Sequence, residues 1–133
     1  PLALNLPSVA GTPIDLASYQ GKVVLIDFWA TWCPPCREGL PALKNLYSRE
    51  KMRGFEIVGI SFDDDPETVR AFTAKAPMPW AQHCARGGFD SDAARQFGIT
   101  SLPTMWLVDR RGILRELDAR TGLDEKVARL LSE

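Results

Sequence analysis

Apolar residues along this chain fall into two kinds of pattern. Lys22–Ala30 (KVVLIDFWA) and Phe55–Phe62 (FEIVGISF) are nearly continuous runs of β-branched, aliphatic and aromatic side chains. Runs of that length, without strict alternation, predict strands buried on both faces at the centre of a sheet. Elsewhere the apolar positions return every three or four residues, the helical period. Leu40, Leu43, Leu46 and Tyr47 predict a helix that begins near Pro34, kinks at Pro41 and ends at Gly54. Pro66–Ala76 reads as a second helix, with Asp65 as its cap and proline in its first turn. Ser91 or Asp90 caps a short helix that runs to Phe97 and stops at Gly98. Leu123, Val127, Leu130 and Leu131 place one apolar face on a terminal helix.

Shorter elements fill the gaps. Leu2, Leu4 and Leu6 alternate with other residues, as in a short strand. Gly11-Thr12-Pro13 reads as a turn, and Ile14–Tyr19 as a strand or one helical turn. Trp80–Cys84 is a short extended segment between Pro77-Met78-Pro79 and Gly87-Gly88. Met105–Asp109 and Ile113–Leu117 form a hairpin across Arg110-Arg111-Gly112. Strand–helix alternation followed by a hairpin and a helix predicts an α/β architecture, a central mixed sheet covered by helices on both faces.

Composition narrows the function classes. A chain of 133 residues, 45% of them apolar, reads as one domain over 1–133 with a real core. Sixteen Lys and Arg against seventeen Asp and Glu leave a net charge of −1, which argues against a basic nucleic-acid-binding face. No apolar run approaches the ~20 residues of a membrane helix. Pro1–Gly11 has no basic start followed by an apolar stretch, so no export signal is expected within these residues. Three cysteines are too few to staple the fold, and their number is odd.

Two of them carry the chemistry. Cys33 and Cys36 stand two residues apart, directly after a strand and at the start of a helix. The thiolate is the reactive form of cysteine, and the free N–H groups and dipole of a helix start stabilise that anion. Cys33, at the edge, is expected to be the exposed nucleophile. Cys36, one turn in, is expected to be shielded and to resolve a mixed disulfide by attacking Cys33.

Val24–Pro41 (VLIDFWATWCPPCREGLP) resembles the active-site region of the thioredoxin superfamily, and Trp32-Cys33-Pro34-Pro35-Cys36 is most similar to its TlpA/ResA-like branch of exported thiol-disulfide oxidoreductases. Ser101-Leu102-Pro103-Thr104 resembles the cis-proline loop of that superfamily, and Pro1–Gly21 the N-terminal extension of the branch. The resemblance implies a thioredoxin-like fold with a short N-terminal β extension. It implies Cys33 as nucleophile, Cys36 as resolving thiol and a cis bond before Pro103. It also implies that Trp32, Pro34, Leu102 and Pro103 border a groove for a substrate chain. The partners it implies are proteins with cysteines or disulfides and a membrane-bound or soluble thiol reductant. The role is that of a reductant of apocytochrome or copper-site cysteines, in the periplasm or another exported compartment. No cofactor and no metal is expected. A monomer is expected, although Cys84 would permit a linked dimer.

Asp27 stands inside an apolar strand, where burial raises a carboxyl pKa and suits it to take a proton from Cys36. It matches the buried Asp of thioredoxin. The TlpA/ResA-like branch often carries a Glu three residues after its second Cys, but this chain has Gly39 there, with Glu38 about 100° away around the helix. The acid role therefore falls to Asp27 alone.

Two other functions compete. Cys33 and Cys36, with His83 or Cys84, could bind copper or zinc for transfer to a partner. A thiol peroxidase is the other, but peroxiredoxins place a Thr three residues before the reactive Cys, and that position is Ala30. Asp63-Asp64-Asp65 reads as a solvated loop with a helix cap, Cys84 as a half-buried thiol, His83 as a surface residue, and Trp80 and Phe89 as core or rim packing ahead of the alternative that they edge a partner surface.

Overall fold

The computed structural model describes all 133 residues, Pro1–Glu133. A five-stranded mixed sheet forms its centre, in the order β5-β4-β3-β6-β7. The strands are β3 (Val23–Trp29), β4 (Phe55–Ser61), β5 (Ala81–Cys84), β6 (Thr104–Val108) and β7 (Leu114–Glu116). β4 runs parallel to β3 and β5, whereas β6 is antiparallel to both β3 and β7. Every residue of β3 is buried, as its unbroken apolar run predicts for the middle strand. A separate two-stranded sheet pairs β1 (Asn5–Pro7) with β2 (Pro13–Asp15). This is the thioredoxin-like α/β arrangement with a small N-terminal β extension.

The pleat assigns the faces. Leu25, Asp27 and Trp29 point to one side of β3, and Val24, Ile26 and Phe28 to the other. α1 (Pro34–Glu38) and α2 (Leu40–Glu50) connect β3 to β4, and α3 (Pro66–Lys75) connects β4 to β5. Both connections join parallel neighbours in the same direction, so right-handed crossovers put these helices on one face. Phe72 of α3 accordingly meets Trp29, with ring centroids 5.4 Å apart. On the opposite face Phe97, at the end of α4 (Asp92–Phe97), packs on Phe28 and Trp106 at 6.1 and 5.7 Å. α5 (Leu123–Leu131) buries Val127, Leu130 and Leu131.

Two expectations shift in detail. The helix after Cys33 breaks at Gly39, not at Pro41. Pro41 lies in the first turn of α2, where a proline needs no N–H partner, so the interruption comes before the proline. Ile14–Tyr19 takes both of its possible forms, since β2 ends at Asp15 and a 3-10 turn follows over Leu16–Tyr19. The Asp15 carboxylate caps that turn by accepting from the Ala17 N–H at 3.1 Å.

Arg110 ties three segments together at the end of the sheet remote from Cys33. Its guanidinium donates to the carbonyls of Gly21, Arg53 and Leu131 at 2.8, 3.0 and 2.9 Å. These oxygens belong to the approach to β3, the turn before β4 and the last residue of α5. Arg110→Ala is expected to cost about 2 kcal/mol, a value discounted for partial exposure, and to lower Tm by roughly 8 °C. Thermal melts of the two proteins measure this. A shift below about 2 °C would mean that water replaces the three bonds without loss.

Candidate active site

β3 delivers the chain to its end at Trp29, and four residues later Cys33 caps α1 with an extended backbone (φ −100°, ψ 105°). Pro34 and Pro35 occupy the first turn and have no N–H to offer. The first helical N–H that remains is that of Cys36, and it donates to Cys33 Sγ at 3.3 Å. Cys33 and Cys36 are joined as a disulfide, with their Cα atoms 5.3 Å apart. Both residues are buried in this bonded form, Cys33 4% and Cys36 6% exposed. The expected contrast between an exposed Cys33 and a shielded Cys36 is therefore absent in the disulfide form.

Exposure is concentrated around the pair. Trp32, 54% exposed, projects beside Cys33, and Pro34 is exposed on its other side. Leu102 and Pro103, both half-buried, are joined by a cis peptide bond. Thr104, which follows them, lies opposite Phe28 in the register of β3 and β6. The cis-proline loop thus enters the sheet at the same end from which β3 leaves for Cys33.

Asp27 is 2% exposed in the middle of β3, opposite Gly59 of β4 and Met105 of β6. Met105 lines a cleft of about 370 Å³ with Gly39, Ala42 and Leu43, which puts Asp27 on the face that carries α1 and α2. Its Oδ1 has no hydrogen-bond partner. Burial raises its pKa from 3.8 to about 7. Glu38, by contrast, is exposed at the end of α1. Next along the row, Gln82 lies opposite Gly59 and accepts from Trp29 Nε1 at 2.8 Å. A Cβ on Gly59 would stand 2.1 Å from Gln82 Oε1, so only glycine leaves this buried amide its place.

Besides Cys33, Asp63 departs from the sequence-based expectation. Asp63 is not solvated but 3% exposed, and its carboxylate holds the loop ahead of Cys33. It accepts from the Thr31 N–H at 3.0 Å, Thr31 Oγ1 at 2.6 Å and Ser61 Oγ at 2.5 Å. On the other side the Thr31 carbonyl accepts from Arg37 Nη1 at 3.1 Å. Only Asp64 and Asp65 of the acidic triplet are exposed, and Asp65 caps α3 as expected. No local pattern announces the clamp, since Thr31 and Asp63 lie 32 residues apart and meet because β3 and β4 end side by side. Asp63→Ala leaves the Thr31 N–H without its acceptor and is expected to destabilise the fold by about 3 kcal/mol, read by urea denaturation. An effect under about 0.5 kcal/mol would show that the loop holds itself.

Cys84 is half-buried, and its thiol donates to the Asp63 carbonyl at 3.1 Å. Burial pushes its pKa up, and the Asp63 charge pushes in the same direction, so the thiol is poorly ionised. His83 Nδ1 pairs with the Pro7 carbonyl at 2.7 Å. His83 and Cys84 do not join Cys33 and Cys36, and no three His, Cys, Asp or Glu side chains converge. No helix is long and apolar enough to cross a membrane.

Comparison with known proteins agrees with this geometry. The model of the AhpC/TSA family matches residues 2–117. The chain is 31% identical over 108 residues to the thiol-disulfide oxidoreductase ResA of Bacillus thuringiensis, an alignment that covers 80% of this chain and 61% of that protein. It therefore spans about three fifths of that relative's length. A solved thiol-disulfide oxidoreductase from Bacteroides fragilis superposes with a TM-score of 0.81 at 30% identity, covering 95% of this chain and 97% of the other. A thiol:disulfide interchange protein of the thioredoxin family from Chlorobium tepidum gives a TM-score of 0.80 at 26% identity, with 97% and 93% covered.

Proposed function

The chain belongs to the AhpC/TSA family, and from that premise we propose that it is a thiol-disulfide oxidoreductase acting on protein substrates. The observation that carries this reading is the Cys33–Cys36 disulfide at the mouth of α1, with the Cys36 N–H donated to Cys33 Sγ. In the reduced protein that N–H and the helix start favour a thiolate on Cys33. The thiolate attacks one sulfur of a substrate disulfide. A Cys33–substrate bond forms, the substrate S–S bond breaks, and the departing thiolate takes a proton from solvent. Cys36 then gives its proton to ionised Asp27, directly or through water, and its thiolate attacks Cys33 Sγ. The Cys33–Cys36 bond closes and the second substrate thiolate leaves. Two electrons have passed from the protein to the substrate, and a dithiol partner returns them.

Trp32, Pro34, Leu102 and Pro103 border the groove in which the substrate segment lies, and backbone groups beside Pro103 pair with it as an added strand. The similarity of the Trp-Cys-Pro-Pro-Cys segment to the TlpA/ResA-like branch supports an exported compartment, such as the periplasm, and a reductive role on apocytochrome or copper-site cysteines. Ala30, where peroxiredoxins carry Thr, speaks against peroxide reduction.

The test is insulin reduction. The protein kept reduced by dithiothreitol is expected to precipitate the insulin B chain well ahead of dithiothreitol alone. Equal lag times would remove the reading.

A further inference from the structure

Phe89 is the largest exposed apolar side chain near Cys33 that the mechanism leaves unused. It is 43% exposed, and its ring centroid lies 6.4 Å from that of Trp32. Beneath, the buried Phe62 meets it edge-on at 5.3 Å. One exposed aromatic ring is ordinary on a protein surface, whereas two in contact beside a reactive pair form a patch.

The turn that carries Phe89 is built to hold it. Gly87 and Gly88 have φ of 94° and 57°, and a Cβ on Gly88 would stand 3.1 Å from the Phe62 carbonyl. The Gly87 N–H donates to Asp64 Oδ1 at 3.0 Å. The N–H groups of Gly88, Asp90 and Ser91 donate to Ala85, Gly87 and Gly88 at 3.0, 2.9 and 3.1 Å. Ser91 Oγ then caps α4 by accepting from the Ala94 N–H at 3.1 Å. A ring on so fully bonded a turn is presented in one place and loses little freedom when it is covered. On the stretches that flank it, the exposed carboxylates of Asp64, Asp65, Asp90 and Asp92 outnumber the exposed cations of Arg86 and Arg95, and Arg37 beside Trp32 is tied to the Thr31 carbonyl.

We propose that Phe89 is a specificity-determining residue: with Trp32 it forms an aromatic seat for a large apolar side chain close to the substrate's cysteine, in a segment with basic flanks. The seat continues the groove assigned to Trp32 and Pro103, so it rests on the redox reading. The carboxylates around it favour lysine or arginine over glutamate in the bound segment.

Two disulfide-bridged peptides test this, one with Leu and Lys beside its cysteine and the other with Ser and Glu. Each is reduced by the protein with dithiothreitol as the source of electrons. The wild type is expected to prefer the Leu-Lys peptide in kcat/KM. Phe89→Ala is expected to lower that preference about tenfold, mainly through KM, and Phe89→Leu to keep most of it. Rising salt is expected to reduce the Lys-over-Glu part alone. An unchanged preference in Phe89→Ala, at an unchanged Tm, would overturn the seat and leave the redox reading standing. Reduction of neither peptide by the wild type beyond dithiothreitol alone would instead overturn the redox reading, and the seat with it.

Discussion

Cys33→Ser will abolish insulin reduction, with a rate loss of at least about 10⁴-fold and no change of fold. Serine reproduces the size of the side chain and still caps α1, so the Cys36 N–H that now points at Cys33 Sγ keeps an acceptor. What disappears is the nucleophile, because a hydroxyl at neutral pH has almost no anionic fraction and cannot form a disulfide. Cys36→Ser is expected to fail differently. Its Cys33 still attacks, but nothing resolves the product, so the substrate accumulates as a covalent adduct on Cys33 that mass spectrometry detects. The two variants together separate attack from release. If Cys33→Ser kept even a tenth of the activity, another thiol would have to be the nucleophile. Cys36 and Cys84 are the two left, and neither suits that role: Cys36 is buried, and Cys84 is half-buried with its thiol pKa pushed up.

The other large effect concerns Asp27, and it runs in opposite directions for stability and for catalysis. Its pKa rises from 3.8 to about 7 on folding because burial disfavours the carboxylate. Between these values the unfolded chain has released the proton while the native protein holds it. The native state thus binds more protons, and the free energy of unfolding falls as pH rises. The fall begins near pH 4, levels off above about pH 7, and amounts to about 4 kcal/mol for a shift of roughly three units. Asp27→Asn replaces the neutral acid with a neutral amide of the same shape and removes this penalty. Urea denaturation should find it close to wild type near pH 4 and more stable by up to about 4 kcal/mol at pH 8. The same variant has no base to receive the Cys36 proton. Its resolving step should slow by about 10²-fold and lack the rise through pH 7 expected of the wild type. Parallel stability curves for the two proteins would show that Asp27 titrates as an ordinary carboxyl. Such a curve would also end its assignment as the proton acceptor. A buried group that costs stability where the protein works is a trade of stability for function.

Much of this was legible along the chain. Lys22–Ala30 and Phe55–Phe62 announced two central strands, because only positions covered on both sides tolerate such unbroken apolarity. Asp65 and Ser91 announced helix starts, because their side chains satisfy N–H groups a few residues away. Asp27 stood out because its own strand is otherwise almost wholly apolar. Cys33, two prolines and Cys36 specify their geometry within one helical turn. In each case the determining contacts span only a few residues, so local propensity and spacing carry the information.

The clamp on Thr31, the Gln82 amide over Gly59 and the ring of Phe89 against Trp32 were not legible in this way. Asp63 looked like one more solvated acid, and only the pairing of β3 with β4 brings its carboxylate to Thr31 and Ser61. Phe89 read first as packing and only second as the edge of a partner surface, and the return of the chain after β5 leaves it at the surface against Trp32. The sequence by itself determined the Cys33–Cys36 pair, the buried acid and the strands and helices that carry them. Tertiary structure alone decided which distant groups hold the reactive loop and which side chain borders it. Those contacts depend on strand order and register, and these are set by the energy of the whole packed sheet and not by any one stretch of chain.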